Sequence, residues 1–349
     1  MIHPLVGHHE ARKRLAASRT TGRLPQVLLV TGPEGVGKQR LGLWLGQLLL
    51  CERPGEEPCG ACRACRLALD LAHPDLHWLV PIARPRAGEA DKQVEEAAEL
   101  LAEAVAARRE RSLYEPADGM ASHPIASARL LLRRAALTPV EAKRKVFVIG
   151  EADRLVPQES SPEAANALLK FLEEPPADTW IVLTTTEPER VLPTIRSRTV
   201  PLRLARLPDA EVRAFAKATL RPLPAEDELE SLVRRADGII GRLVGGAESA
   251  GKALQEARGL LDALGTGPAA RFERGLRQLP WQARGGFTDL LDALAAELAA
   301  RARTASDRGE AERLVAALTR VQAARADAQG NVNPQLLLTC LAGGLTEVL

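Results

Sequence analysis

No run of about 18 uncharged apolar residues occurs anywhere in the 349-residue sequence, which removes a helical membrane span from consideration. The opening stretch, MIHPLVGHHEARKRL, lacks an apolar centre between a basic start and a small-residue cleavage site. No secretory signal is therefore expected, and a cytoplasmic location is. Net charge is nearly absent as well: 47 Lys and Arg against 45 Asp and Glu leave +2. That balance creates no general field for nucleic acid, so any DNA contact has to come from a local patch. A hydrophobic content of 46% excludes general disorder, and the length accommodates two or three domains.

Cysteine is scarce but concentrated. Four of the five fall in CERPGEEPCGACRAC, as Cys51, Cys59, Cys62 and Cys65, with spacing C-x7-C-x2-C-x2-C. Three thiols at intervals of three, plus one across a Pro/Gly-rich loop, can converge on a tetrahedral site, and such thiolate sets select zinc. In a reducing compartment a metal is expected rather than disulfides. Four protein ligands leave no open position for water or substrate, so the expected role of Zn²⁺ is structural. Cys340, alone in LLLTCLAGGL, is expected in a core.

A second absence lies in TGPEGVGKQR. Gly32, Gly37 and Lys38 fit the phosphate-cradling pattern G-x-x-x-x-G-K, with Gly35 inside it, but Gln39 stands where Ser or Thr would offer a hydroxyl to Mg²⁺. An apolar strand, Val27 to Val30, precedes the loop, and KQRLGLWLGQLLL has helical spacing after it. Strand, loop and helix in this order aim backbone N–H groups at one anion. Further on, KVFVIGEADRL reads as a strand over Val146 to Ile149. An acidic residue at the tip of such a strand would hold Mg²⁺, yet the tip is Gly150 and only Glu151 remains. Both usual metal ligands are missing, so ATP binding is expected to be weak and hydrolysis absent.

Between these motifs, HPDLHWLVP reads as another strand. Residues 84–120 read as an inserted surface excursion around the helix-forming DKQVEEAAELLAEAVAARRER. IASARLLLRRAAL marks a helix. A helix through Asn166 to Glu174, stopped by Pro175 and Pro176, then leads to a strand at Trp180 to Thr184 and a short arginine-bearing helix before a last strand.

The glycine loop at 32 to 38, the four cysteines, ANALLKFLEEPP and IRSRT, in this order, resemble the clamp-loader subunits of bacterial DNA polymerase III, members of the AAA+ superfamily. The resemblance implies an α/β AAA+ core with a parallel sheet, flanking helices and a zinc module over residues 1–204, a small helical lid over 205–248 and an all-α oligomerisation collar over 249–349. Within that group the missing metal ligands are most similar to the non-hydrolysing delta-prime type rather than to the motor subunits gamma and tau. An active gamma/tau-like ATPase, with Glu151 or another acid such as Asp153 recovering metal binding, is the alternative.

By resemblance, Lys38 matches the loop lysine, Glu151 the acidic Walker B residue, Thr185 or Thr186 sensor 1, and Arg242 the sensor 2 arginine of the lid. Arg198 matches the arginine that reaches into a neighbouring subunit's ATP site, and Thr199 replaces the cysteine usual beside it. The implied partners are gamma/tau and delta subunits in a hetero-oligomeric ring, the sliding clamp, and primer-template DNA through the complex. The guanidinium of Arg198 suits that role on its own chemistry, because it stays charged and neutralises a transferring phosphoryl group when supplied from a neighbour.

Overall fold

The computed structural model of the protein describes all residues except Met1, 111–120, 157–161, 245–246, most of 266–285 and 329–331. It divides into two units, Met1–Val244 and Gly245–Leu349. Among the described residues no helix is long and apolar enough to cross a membrane.

The first unit is built on five strands: β1 (Val27–Thr31), β2 (Leu76–Leu79), β3 (Lys145–Ile149), β4 (Thr179–Thr185) and β5 (Val200–Arg203). All pair in parallel, in the order β2-β3-β4-β1-β5. The apolar runs of β1 and β3 follow from burial on both faces: Leu28, Leu29, Val30 and Val146 through Ile149 are at most 3% exposed. Parallel register sets the carboxyl ends of β1, β3 and β4 along one edge, with Thr31 paired to Thr185 and Ile149 to Leu183. Loops leaving that edge are where such sheets bind ligands. The strand segments observed extend those expected from the sequence by one or two residues.

Helices α1 (His9–Thr20), α2 (Lys38–Leu50), α3 (Arg63–Leu69), α4 (Ala90–Glu110), α5 (Ile125–Ala136), α6 (Glu163–Glu173) and the short α7 (Pro193–Arg196) complete this layer. Helix α6 begins three residues before Asn166. The expectation of a surface excursion over 84–120 needs correction for α4, whose Val94, Ala97, Leu101 and Arg108 are buried against the rest of the unit. Their spacing of three, four and seven is an inward stripe, diluted in sequence by the alanines and glutamates around it. Residues 111–120 lie outside the described set.

The chain then forms α8 (Asp209–Thr219), α9 (Glu226–Ala236) and α10 (Gly241–Val244), which bury a separate apolar cluster around Val212, Phe215, Leu229 and Val233. The second unit contains α11 (Ala247–Leu264), α12 (Gly286–Arg303), α13 (Arg308–Asp327) and α14 (Pro334–Thr346) around Leu260, Leu291, Leu294, Val321 and Leu345. The starts of α13 and α14 are encoded locally. Asp307 accepts from the Glu310 N–H while Glu310 accepts from the Ser306 N–H, a reciprocal cap. Asn333 accepts from Gln335 and Leu336 ahead of Pro334. Cys340, expected in a core, is exposed. Leu338, Leu341, Ala342 and Leu345 form the inward stripe of α14, and position 340 falls outside it.

Candidate functional site

The four clustered cysteines meet in space. Their sulfur atoms all lie within 4.8 Å of one another, with Cys59 Sγ 3.9 Å from Cys65 Sγ and Cys62 Sγ 4.0 Å from Cys51 Sγ. A tetrahedral site with zinc–sulfur bonds of about 2.3 Å spaces its sulfurs by about 3.8 Å, so the donor set fits a zinc ion. Backbone N–H groups turn inward onto the sulfurs: Cys59 N–H donates to Cys51 Sγ, Cys62 N–H to Cys59 Sγ and Cys65 N–H to Cys62 Sγ, each at 3.4 Å. The donors from Cys62 and Ala61 hold the Cys59 thiol down to about 6, while burial pushes Cys65 up. The module is anchored on α2, because Trp44 Nε1 donates to Glu57 at 2.8 Å and Gln47 donates to the Cys65 carbonyl at 3.2 Å.

At the other end of α2, the glycine loop follows β1 as the sequence indicates. Gly32, Gly35 and Gly37 all have positive φ, the conformation glycine adopts without steric penalty. Lys38 is folded back onto the loop: its Nζ donates to the carbonyls of Gly32 at 2.9 Å and Pro33 at 2.7 Å, and to Thr186 Oγ1 at 3.0 Å. Burial lowers its pKa to about 8, against the charges of Glu34, Asp153 and Glu151. Glu34, a loop residue, lies close enough for its carboxylate charge to act on Lys38.

The loop is also covered from two sides. His8 Nε2 donates to the Val36 carbonyl at 2.8 Å. Gly241, at the start of α10, donates its N–H to the Gly35 carbonyl at 2.9 Å, and a Cβ on Gly35 would sit 3.1 Å from Gly241 Cα. Arg242 thus stands next to the loop in the fold. Its side chain turns to Asp237 at 3.7 Å, and Asp237 also pairs with Arg206.

At the tip of β3, Glu151 has left-handed backbone geometry, φ 54° and ψ 56°. Its carboxylate pairs with Arg154 Nε at 2.8 Å. Burial raises its pKa, opposed by Arg154 and by Arg108 from α4. Of the two threonines expected at sensor 1, Thr186 bonds Lys38, and Thr185 donates to Asp153 Oδ1 at 2.6 Å. Gln39 turns toward Gly150 and β2, its Oε1 accepting a 2.9 Å bond from Trp78 Nε1.

His123, which no sequence motif marks, fixes the turn at 150. It is fully buried and its Nε2–H donates to the Gly150 carbonyl at 2.7 Å. Burial depresses its pKa to about 4, outweighing that bond. An unfolded histidine titrates near 6.5, so between about pH 6.5 and pH 4 the unfolded chain takes up a proton that the folded chain refuses. The stability contributed by neutral His123 is present above pH 6.5 and is lost as pH falls toward 4, by on the order of 1 kcal/mol for each pH unit crossed. We expect His123→Gln, which keeps a donor, to flatten the acid slope of the thermal midpoint in that window. His77, also held to about 4 by burial, and His3, His8 and His73, lowered by burial as well, contribute to the slope that remains. An unchanged slope in the variant would contradict the assignment.

Arg198 lies elsewhere. Two residues after it, Val200 pairs with Leu28, the second residue of β1, whereas the glycine loop starts after Thr31 at the other end of that strand. Val200, the first residue of β5, is therefore four register positions from Gly32, about 13 Å by strand rise, and Arg198 precedes it in the turn after α7. The guanidinium of Arg198 contacts Glu173 Oε2 at 3.0 Å and the Thr194 carbonyl at 2.9 Å.

A family model described as DNA polymerase III, delta subunit, matches residues 7–208. This chain belongs to the clamp-loader family of DNA polymerase III. The clamp-loader chain is 35% identical over 187 residues to the DNA polymerase III subunit delta' of Escherichia coli, covering 53% of this chain and 44% of that protein. It is 32% identical over 186 residues to the delta' subunit of Bacillus subtilis, with coverages of 53% and 44%. It is 31% identical over 271 residues to the gamma/tau subunit of Mycobacterium tuberculosis, covering 74% of this chain and 39% of that protein. The matched stretch therefore spans less than half the length of these relatives. Among solved structures, a gamma subunit-related protein from Thermotoga maritima aligns over 98% of this chain and 99% of its own, at 17% identity and a TM-score of 0.46. The parallel sheet, its flanking helices and the glycine loop of this clamp-loader chain match the α/β core expected from its sequence.

Proposed function

We propose that this chain is a delta-prime-type subunit of a clamp loader, which completes a neighbouring gamma or tau subunit's ATP site and does not turn over ATP itself. The observation that supports this most is Arg198. It precedes β5 at the end of the sheet away from the chain's own glycine loop, which supports a reading in which any phosphate it serves would belong to another chain. Its ion pair with Glu173 is partly exposed, at 29% and 58% of the two side chains, and pairs of that kind contribute about 0–1 kcal/mol. Docking against a nucleotide would release it at small cost. There its fixed charge would stabilise the transferring phosphoryl group.

The chain's own loop supplies attraction for phosphates through Lys38 and backbone N–H groups, but Gln39 and Gly150 offer neither hydroxyl nor carboxylate to a metal. Zn²⁺ held by Cys51, Cys59, Cys62 and Cys65 would be structural, fastening the 51–65 loop onto α2 and α3. In this reading the chain acts in a ring with gamma/tau and delta subunits to place the sliding clamp on primed DNA.

The purified chain alone is expected to hydrolyse ATP no faster than its Lys38→Ala variant. Sustained turnover of several per minute, abolished by Lys38→Ala, would instead support a motor of the gamma/tau kind with Glu151 or another acid such as Asp153 recovering the metal.

A further inference from the structure

The metal position beside the loop does more than lack ligands. Gly150 occupies the place where a carboxylate would stand, and its surroundings leave no room for a side chain. A Cβ built there would lie 2.6 Å from Gln39 Cδ and 2.9 Å from Gln39 Nε2, with Oε1 closer still, well inside van der Waals contact. Gly150 is not among the glycines with positive φ, so conformation does not demand glycine here; space does. The backbone cannot retreat, because the Gly150 N–H donates to the Leu79 carbonyl at 2.8 Å and the Gly150 carbonyl accepts from His123 at 2.7 Å.

Gln39 is equally fixed. It is 9% exposed and its Oε1 accepts from Trp78 Nε1 at 2.9 Å. Behind Trp78 stands the buried Arg108 of α4, its guanidinium carbon 5.7 Å from the indole centroid, within cation–π range. The charge of Arg108 also bears on Glu151.

We propose that Gln39, pinned by Trp78, is a built-in plug of the divalent-cation position, with Arg108 supplying the positive charge behind it. Gln39 and a side chain at 150 exclude one another, so the two missing ligands form one packed exchange. A carboxylate at 150 accordingly cannot be restored while Gln39 is in place, and any nucleotide phosphates held at the loop are held without a metal. This deepens the proposal that the chain does not turn over ATP, but it is tested on the isolated chain. Its failure would leave the role of Arg198 toward a neighbour untouched.

Two double-mutant cycles test it. In the first, Gly150→Ala should lower the thermal midpoint by several degrees in the natural background and leave it nearly unchanged in Gln39→Ala, since the small residue removes the clash. Equal losses in both backgrounds would overturn the plug. In the second, binding of ribose-labelled fluorescent ADP is measured with and without Mg²⁺, in chelator-free buffer so that thiolate-bound metal is kept. The natural chain, Gln39→Thr and Gly150→Asp should each show little response to Mg²⁺. The double variant Gln39→Thr/Gly150→Asp should gain about tenfold or more in affinity on adding Mg²⁺. A comparable gain in Gly150→Asp alone would refute mutual exclusion, and a folded double variant with no gain would refute the metal position. Should the double variant not fold, the alanine cycle decides the question.

Discussion

Replacing Cys65 by serine is expected to release one zinc ion per chain and to lower the thermal midpoint by on the order of 10 °C. Cys65 is completely buried, its sulfur lies 3.9 Å from that of Cys59, and its N–H donates to Cys62 Sγ at the start of α3. A serine hydroxyl is a poor replacement for a thiolate, so the remaining three sulfurs would hold a metal weakly. What zinc contributes to folding is large: in isolated modules the binding free energy is about 10–16 kcal/mol. Here most of the core would survive, and the loss is confined to the 51–65 loop, α3 and their seat on α2, where Trp44 and Gln47 are engaged. Cys340→Ser, at an exposed position in the other unit, should change neither zinc content nor midpoint. Elemental analysis of protein purified without chelator checks the stoichiometry, and zinc-free protein with an unaltered midpoint would contradict the structural role.

The elements legible in the sequence are those whose signals are local. Strand β1, its glycine loop and the start of α2 occupy one continuous stretch, and the C-x2-C-x2-C spacing brings three sulfurs together with a single turn of chain. Gln39 and Gly150 can be recognised as absences of a ligand, because the motif around each names what is missing. Their physical relation cannot be read, since they stand 111 positions apart (150 − 39) and only the pairing of β3 beside β2 and under α2 brings them into contact. Trp78, His123 and Arg108 escape notice for the same reason. Each looks like an ordinary core or surface residue until β2, α4 and the segment before α5 assemble around the tip of β3. The excursion at 84–120 misleads because alanine and glutamate dominate α4, while its buried stripe comprises only Val94, Ala97, Leu101 and Arg108. Arg198 is marked by its motif, but its placement away from the chain's own loop rests on the pairing of Val200 with Leu28.

That placement yields the second large effect. Arg198→Ala removes a guanidinium that is 29% exposed and held by Glu173 and the Thr194 carbonyl, so folding, zinc content and assembly should be nearly unchanged. At the site it serves, an arginine supplied in trans is worth about 10³–10⁵ in rate, and that site should fall almost silent. The complex as a whole should lose only part of its activity, because motor subunits would supply arginines to one another at their own interfaces. Lys38→Ala acts on a loop already closed by its own lysine, by His8 and by Gly241, and should alter the complex little.

The decisive measurement is the clamp- and DNA-stimulated ATPase of complexes reconstituted from the partner subunits with the natural chain, Arg198→Ala or Lys38→Ala. A subunit that acts in trans predicts a partial but clear drop for Arg198→Ala and near-natural turnover for Lys38→Ala. A damaging Lys38→Ala beside a harmless Arg198→Ala would contradict that role, and would make this chain a motor rather than the partner that completes one.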